Sequence, residues 1–257
     1  MPIGATNCLN FGNPERPEIM WQLVEAVEGL AEACRALDIP ITGGNVSLYN
    51  ETDGRAIYPT PIIGVVGVMD DASRVLTRAF RGSGDAIVLL GEDRGELGGS
   101  EYLKTVHGLV RGDAPEFDAA REAALIKVVT GAAASGLLRS AHDCSDGGIA
   151  VTLAESCFDS GGIGATVDLD TSRSSDPASA LFSESASRIV VSLEASKVEE
   201  LLALAEGAGV PARCIGTTGG ARLAIAVGGQ KVVDLAVAEA ENLWATALEK
   251  YFKRAVA

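Results

Sequence analysis

The residues best suited to chemistry lie in two short segments near the start of the chain, both rich in asparagine and glycine. Residues 7–14 read Asn-Cys-Leu-Asn-Phe-Gly-Asn-Pro, and residues 43–47 read Gly-Gly-Asn-Val-Ser. Asparagine carbonyl oxygens can ligand a hard cation, and the amide N–H groups can donate to phosphate oxygens. Two residues without Cβ also let a phosphate or a metal ion approach the backbone. Both segments are therefore candidates for holding a magnesium nucleotide.

Each of these segments also has a purely structural interpretation. Asn, Gly and Pro are common turn formers, so residues 7–14 can form a loop whose Asn side chains make local turns and cap the following helix. The Gly43-Gly44 pair predicts a tight backbone feature, such as a β-bulge or a bend, about as readily as a ligand site. The pair is part of neither a Walker loop nor a dinucleotide-binding fingerprint. The residues alone leave both interpretations open.

A third segment, residues 142–148, combines an imidazole, two carboxylates and a thiol beside two glycines, at the predicted start of a helix. Its acids can coordinate Mg²⁺ or cap the helix, and capping is favoured because Asp and Ser are preferred N-cap residues. Cys144 would need a base to act as a nucleophile, and no base beyond its neighbour His142 is evident. His107, the other histidine, is expected to have a surface role.

The charge balance excludes one class of partner. The 257 residues include 21 Lys and Arg against 35 Asp and Glu, a formal net charge of −14. Nucleic acids are bound by clustered cations, so we expect no nucleic-acid partner. Hydrophobic residues make up 47% of the chain, which is enough apolar surface to offset the entropy cost of folding.

The cellular context is expected to be a reduced cytoplasmic compartment without a membrane. The most apolar stretches, residues 62–69 and 86–90, are far shorter than the ~20 residues that cross a bilayer. The first residues lack the basic and apolar layout of a secretory signal. The five cysteines are odd in number and include no C-x-x-C pair, which disfavours a disulfide framework or a zinc site.

Hydrophobic periodicity predicts an α+β fold in which helices are layered on a sheet. Apolar residues at three- and four-residue spacing predict a helix over residues 16–37, with Pro17 in its first turn. A buried strand is predicted at residues 62–69, and a long helix at 117–138. The pattern of strands and helices restarts after residue 82, and residues 170–176 form a polar stretch.

The four longest recognisable segments together resemble the synthetase subunits of the phosphoribosylformylglycinamidine synthase family. The matching stretches are residues 5–14, 42–52, 97–102 and 142–148. The similarity extends over essentially all 257 residues, and it matches the carboxy-terminal half of such subunits.

This resemblance implies a domain organisation. Residues 1–78 would be a partial amino-terminal α+β domain that forms a wall of the ATP site. Residues 79–257 would be a carboxy-terminal α/β domain of the aminoimidazole ribonucleotide synthetase-like fold. The catalytic histidine and the main acidic magnesium ligands of the family lie in the first half of the subunit. We therefore expect this chain to be an incomplete fragment that is inactive alone.

The resemblance also implies a reaction and a set of site residues. ATP would phosphorylate the formamide oxygen of formylglycinamide ribonucleotide, and ammonia from a glutaminase subunit would then displace the phosphate. Asn7 and Gly44 would contact ATP, Asn45 would ligand Mg²⁺ through its side-chain oxygen, and Ser47 would bind the substrate. Many relatives have Asp at this position, so Asn7 is a departure from the commoner residue.

The remaining acidic residues are expected to be auxiliary, because in the family the corresponding second site is not the catalytic one. This expectation covers Asp143, Asp146 and Glu184. Expected partners are the amino-terminal half of the synthetase, the glutaminase subunit and a small accessory subunit.

Two other functions are alternatives to the ligase, and truncation of the first domain has a structural consequence. The first alternative is a non-catalytic nucleotide-binding or assembly scaffold. The second is another member of the superfamily, such as a thiamine monophosphate kinase or a selenophosphate synthetase, which the matching stretches disfavour. A truncated first domain would leave the strand at residues 62–69 with an unpaired apolar edge, which predicts self-association.

Overall fold

The computed structural model describes residues 2–170 and 176–255, so most of the predicted polar stretch at 170–176 lies outside the described residues. Contacts divide the chain into two compact units, Met1–Ser73 and Arg74–Ala257. The functional boundary after residue 78 stays a prediction. No helix in the described part of the chain combines the length and the apolar character needed to cross a bilayer.

The first unit is a small sheet with one long helix. Its elements are β1 (Pro2–Asn10), α1 (Pro17–Ala36), β2 (Ile41–Ser47), β3 (Glu51–Thr52), β4 (Arg55–Ala56) and β5 (Thr60–Gly67). In the main sheet β1 is central, parallel to β2 and antiparallel to β5. The buried side chains of Leu9, Phe11 and Ile19 form the core with partly buried residues of α1, such as Leu23. The predicted helix at 16–37 is confirmed.

One local prediction for this unit is wrong, and a second is confirmed in part. The asparagine segment is not a loop from residue 7 onward, because Asn7 to Asn10 belong to β1, and the N-cap of α1 is Arg16 without a side-chain cap. Gly43 and Gly44 both continue β2 without a left-handed φ, but the register of β2 against β1 shifts between Ile41 and Gly43, so a bulge-like irregularity directly precedes the pair. Long-range strand pairing satisfies the backbone in both places, which local sequence does not reveal.

The strand predicted at residues 62–69 exists as β5, but it is exposed and not buried. Every residue of β5 is exposed, including Ile62 at 57% and Val65 at 55%. β5 is the edge strand of a sheet of only three strands, and none of its residues belongs to the described core of this unit. Both its free edge and its apolar side chains are therefore available for a partner.

The second unit is a seven-stranded mixed sheet with helices on both faces. Its strands are β6 (Ala86–Leu90), β7 (Ser140–Asp143), β8 (Ala165–Leu169), β9 (Ile189–Leu193), β10 (Ala212–Thr218), β11 (Arg222–Val227) and β12 (Gln230–Ala236), in the order β12-β11-β8-β10-β6-β9-β7. Its helices are α2 (Glu101–His107), α3 (Ala119–Ala134), α4 (Gly148–Cys157), α5 (Pro177–Phe182), α6 (Val198–Gly207) and α7 (Val237–Ala255). Short 3₁₀ turns occur at Ala72–Arg74 and Ala195–Lys197.

Strand β6 is a continuous apolar strand in the interior of this sheet. Its side chains alternate between the two faces of the sheet. Ile87 and Leu89 pack in the cluster that contains residues of α4. Val88 and Leu90 pack in the opposite cluster with residues of α3 and α6. All five residues of β6 are buried, because helices cover both faces.

An ion pair between a buried carboxylate and a partly exposed arginine anchors the start of β6. Arg139 Nη1 lies 2.7 Å from Asp85 Oδ1, and the Asp85 side chain is only 4% exposed. Arg139 Nη2 also lies 2.7 Å from Glu194 Oε1, whose side chain is 47% exposed. Asp85 Oδ2 is buried without a hydrogen bond. Arg139 therefore neutralises a carboxylate that has little access to water.

We predict that Arg139→Met lowers the free energy of unfolding of the second unit by about 2 kcal/mol, because it leaves a buried charge unpaired. Glu194→Gln removes only the exposed partner of the same arginine and should cost less than about 1 kcal/mol. Urea unfolding in a Trp21→Phe background, where fluorescence reports Trp244 alone, measures both. Equal losses in the two variants would contradict the assignment.

Candidate functional site

The parallel pairing of β1 and β2 brings the two asparagine segments side by side. Asn7 lies opposite Gly44, Cys8 opposite Asn45, and Asn10 opposite Ser47. Residues about 37 positions apart in sequence thus form one continuous ladder. All four residues predicted for the ATP, metal and substrate contacts lie on these two strands.

The four predicted residues nevertheless do not share one face of the sheet. Directly opposed residues point to the same side of a sheet, and successive residues of a strand alternate. Asn7 and Gly44 lie on the side of Leu9, which packs with α1. Asn45 and Ser47 lie on the opposite side. One ligand that contacts all four residues must therefore pass along the edge of β2.

The two adjacent glycines differ in what a side chain at each position would meet. A Cβ at Gly44 would collide with Asn7 Oδ1 and with the Asn7 carbonyl oxygen, so Asn7 occupies the space that a side chain would need. A Cβ at Gly43 would have no described atom within 4 Å, and it would point to the side of Asn45. The surface beside Asn45 is therefore open enough for a bulky ligand group to approach the backbone.

The side chain of Asn45 is exposed and makes no hydrogen bond within the part of the chain that the structure describes. Ser47 is held differently. Asn50 Nδ2 donates to the Ser47 carbonyl oxygen at 2.9 Å and to its Oγ at 3.1 Å, and it also donates to the Phe11 carbonyl oxygen at 3.1 Å. Asn50 thus fixes the end of β2. In the sequence, the position of Asn50 three residues after Ser47 is the feature that could have indicated this role.

The chemistry of the donor set fits magnesium only together with a polyphosphate. Asn45 and Ser47 offer neutral oxygens, and Mg²⁺ is usually bound by carboxylates and substrate phosphates with several waters. Within residues 2–170 and 176–255, no group of three or more His, Cys, Asp or Glu side chains is placed to hold a metal ion. Asn45 and Ser47 therefore supply no negative charge to a cation held beside them.

The segment at residues 142–148 has a structural explanation in the second unit. His142 Nε2 lies 2.8 Å from Glu155 Oε2, and its Nδ1 lies 3.2 Å from Asp143 Oδ1. A hydrogen bond from Ser145 lowers the pKa of the Asp143 carboxyl, and the contact with His142 adds to this effect. Burial raises the pKa of the Cys144 thiol, which makes it a poor nucleophile.

The expected helix cap in this segment is wrong. The N-cap of α4 is Gly147, in a left-handed conformation and without a side-chain cap from the segment. Instead, Glu184 Oε1 accepts hydrogen bonds from Gly147 N at 2.8 Å and from Glu101 N at 2.9 Å. One carboxylate therefore joins the starts of α4 and α2. The cap comes from 37 residues away, so local sequence could not reveal it.

We predict that Glu184→Ala lowers the free energy of unfolding by about 2 kcal/mol, because it removes the acceptor of two backbone N–H groups. The amides of Glu101 and Gly147 should lose protection in hydrogen exchange. Glu101→Gln, which keeps both backbone N–H groups paired, is the matched control. Unchanged protection at both amides in Glu184→Ala would show that the bridge is not important.

The fold and the site define the class of protein. The model of the C-terminal domain of AIR synthase related proteins matches residues 82–228, and the model of the N-terminal domain of the same family matches residues 1–69. The chain therefore belongs to the AIR synthase related protein family.

Curated relatives within this class confirm the resemblance that the sequence motifs suggested. Phosphoribosylformylglycinamidine synthase subunit PurL of Thermoanaerobacter sp. (strain X514) is 46% identical over 95% of this chain and 33% of its own length. The subunit of the same name from Thermobifida fusca is 49% identical over 98% of this chain and 32% of its own length. The chain thus spans about a third of the length of these relatives.

Solved structures show the same fold at lower identity. Thermotoga maritima PurL complexed with FGAR has a TM-score of 0.74 and 19% identity, covering 94% of this chain and 40% of that chain. The same protein complexed with ATP has a TM-score of 0.70 and 19% identity, covering 93% of this chain and 38% of that one. The hydrogenase maturation protein HypE has a TM-score of 0.61 and 18% identity, covering 90% and 75%.

Proposed function

We propose that this chain is part of an ATP-dependent carbon–nitrogen ligase, a phosphoribosylformylglycinamidine synthase of cytoplasmic purine biosynthesis. The ligase converts formylglycinamide ribonucleotide and glutamine-derived ammonia to formylglycinamidine ribonucleotide, with cleavage of ATP. The names of the curated relatives support this proposal at 46% and 49% identity. A solved structure named PurLQS from Thermotoga maritima supports an assembly with further subunits, which we take to be a glutaminase and a small accessory subunit.

The proposed contribution of this chain is one wall of a magnesium–ATP site. Asn45 would ligand the metal, Asn7 and Gly44 would contact ATP, and Ser47 would bind the substrate. The observation that carries this proposal is the open side of β2, where, among the described residues, the Asn45 side chain makes no hydrogen bond and no atom lies within 4 Å of a Cβ placed on Gly43. Magnesium would offset the charge of the phosphoryl group during transfer. The chain's own role is to position the nucleotide.

Complementation tests the division of labour. The chain alone should form no product, because the donors proposed here are neutral and bind only through the nucleotide. Mixing it with a separately produced remainder of a PurL subunit should restore ATP- and ammonia-dependent formation of formylglycinamidine ribonucleotide. Full activity of the chain by itself would overturn the proposal.

A non-catalytic nucleotide-binding scaffold is the second candidate, favoured by the lack of a carboxylate among the four proposed contacts. This function predicts that calorimetry detects ADP binding while the mixture with the remaining part of the subunit shows no turnover. It also predicts that Asn45→Ala leaves any reconstituted rate unchanged. A large rate loss in Asn45→Ala would favour the ligase.

The two glycines of β2 provide a sharper test of the site. Gly43→Ala should leave the unfolding temperature unchanged but weaken binding of a magnesium–ATP analogue by about tenfold, because the new Cβ fills the proposed approach to the backbone. Gly44→Ala should instead destabilise the first unit by about 1–3 kcal/mol, through its collision with Asn7.

Gly29→Ala on α1 is the matched control. A Cβ at Gly29 also has no atom within 4 Å, and the residue lies outside the β1–β2 ladder. This variant should keep wild-type affinity and gain about 0.5–1 kcal/mol of helix stability. Calorimetry and thermal unfolding measure all three variants. Wild-type affinity in Gly43→Ala would show that no ligand approaches this surface.

Exposure of β5 supports the further proposal that two copies of the chain associate through this edge when the remainder of the subunit is missing. We predict that the double variant Ile62→Lys/Val65→Lys shifts the chain to monomer, because charged side chains on an edge strand oppose pairing. Size-exclusion chromatography with light scattering measures the mass. Val106→Lys, at an exposed position of α2, is the control and should not change it. A wild-type monomer at all concentrations would contradict the proposal.

A further inference from the structure

Asn10 is an additional polar residue on the open side of the sheet. It is the last residue of β1, and it lies opposite Ser47 in β2 and opposite Thr60 in β5. Its position in the ladder places it on the same side as Asn45 and Ser47, because it is two residues after Cys8, which lies opposite Asn45. Asn10 and Asn45 are therefore diagonal neighbours on adjacent strands, roughly 7 Å apart.

The orientation of the Asn10 amide is determined by its neighbours. Its Nδ2 donates to the Thr60 carbonyl oxygen at 3.2 Å and to the Cys8 carbonyl oxygen at 3.4 Å. Backbone carbonyls only accept hydrogen bonds, so the NH₂ group must face them and Oδ1 must face away. The side chain thus holds a neutral oxygen in a defined direction, without a hydrogen bond to that oxygen in the described part of the chain.

We propose that Asn10 Oδ1 is a second amide oxygen for the divalent cation of the bound nucleotide, beside Asn45. The inference rests on the proposed magnesium–ATP site and adds a residue to it. Two neutral oxygens on adjacent strands can ligand a cation when the nucleotide phosphates neutralise most of its charge. The hydrogen bond to Thr60 gives Asn10 a second, structural role, since it ties β1 to β5.

Two substitutions separate these roles. Asn10→Ala removes both the oxygen and the hydrogen bonds. Asn10→Asp keeps an oxygen ligand and adds a negative charge, but it loses the two N–H donors to the carbonyls. If Asn10 is a cation ligand, the two variants should have opposite effects on one quantity. This quantity is the Mg²⁺ concentration at which a non-hydrolysable ATP analogue is half bound.

The experiment is calorimetric titration of the analogue at a series of Mg²⁺ concentrations, with the full chain mixed with the remainder of a PurL subunit. Asn10→Ala should raise the half-saturating Mg²⁺ concentration by about tenfold, and Asn10→Asp should lower it several-fold. Asn13→Ala is the control, because Asn13 Oδ1 accepts from Glu15 N in the loop after β1 and lies outside the ladder. It should reproduce the wild-type value.

The outcomes distinguish this inference from the proposed function. If the wild-type chain mixed with the remainder of a PurL subunit binds no analogue at any Mg²⁺ concentration, the proposed site itself is wrong. If the wild type binds but both Asn10 variants keep the wild-type dependence on Mg²⁺, only the role of Asn10 is overturned.

A measurement on the wild type covers the case in which the variants do not fold. Mn²⁺ replaces Mg²⁺ in the analogue complex, and the side-chain amide signals of asparagines are followed by NMR. Because the relaxation that Mn²⁺ causes falls with the sixth power of the distance to the ion, similar relaxation rates at Asn10 and Asn45 at trace Mn²⁺ support the inference. A relaxation rate at Asn10 far below that at Asn45 overturns it.

Discussion

The register of the β1–β2 pairing is the constraint on which the candidate site depends. Ala5 pairs with Ile41 but Thr6 pairs with Gly43, so Thr42 is an extra residue in β2. Thr42 Oγ1 donates to the Ala5 carbonyl oxygen at 3.2 Å and stabilises this irregularity. Without the extra residue, every later residue of β2 would change sides, because the side-chain period of a strand is two. Asn45 would then point toward α1.

Electrostatics explains why a site of this kind needs a second component. The chain carries a formal net charge of −14, so its average field repels a nucleotide. The oxygens on the open side of β2 are neutral and add no attraction for the phosphates. Magnesium bound to a nucleotide would remove part of this repulsion, and we propose that cationic groups outside this chain supply the rest.

The sequence predicted the elements whose signal is local and missed those that long-range contacts decide. Helix α1 follows from the periodicity of its apolar residues, and the structure confirms it. Asparagine has a low preference for strands, so the strand at Asn7 to Asn10 depends on pairing with two partners. The exposure of β5 depends on what covers the sheet, which an apolar pattern does not specify. The site residues were identified through family resemblance, whereas their separation onto two faces required the register.

The polar side chains of the two units differ in how many hydrogen bonds they make within the protein. In the second unit, Ser187 Oγ donates to Glu122 at 2.6 Å, and Arg188 Nη2 donates to the Ser183 carbonyl oxygen at 2.7 Å. Glu184 is likewise engaged by two helix starts. A ligand there would have to replace protein hydrogen bonds, each of which costs free energy to break. Asn45 carries no such cost, because its amide is exposed and unpartnered in the described chain. The polar groups of the second unit therefore hold its loops in place, whereas the Asn45 amide makes no such contact within the described part of the chain.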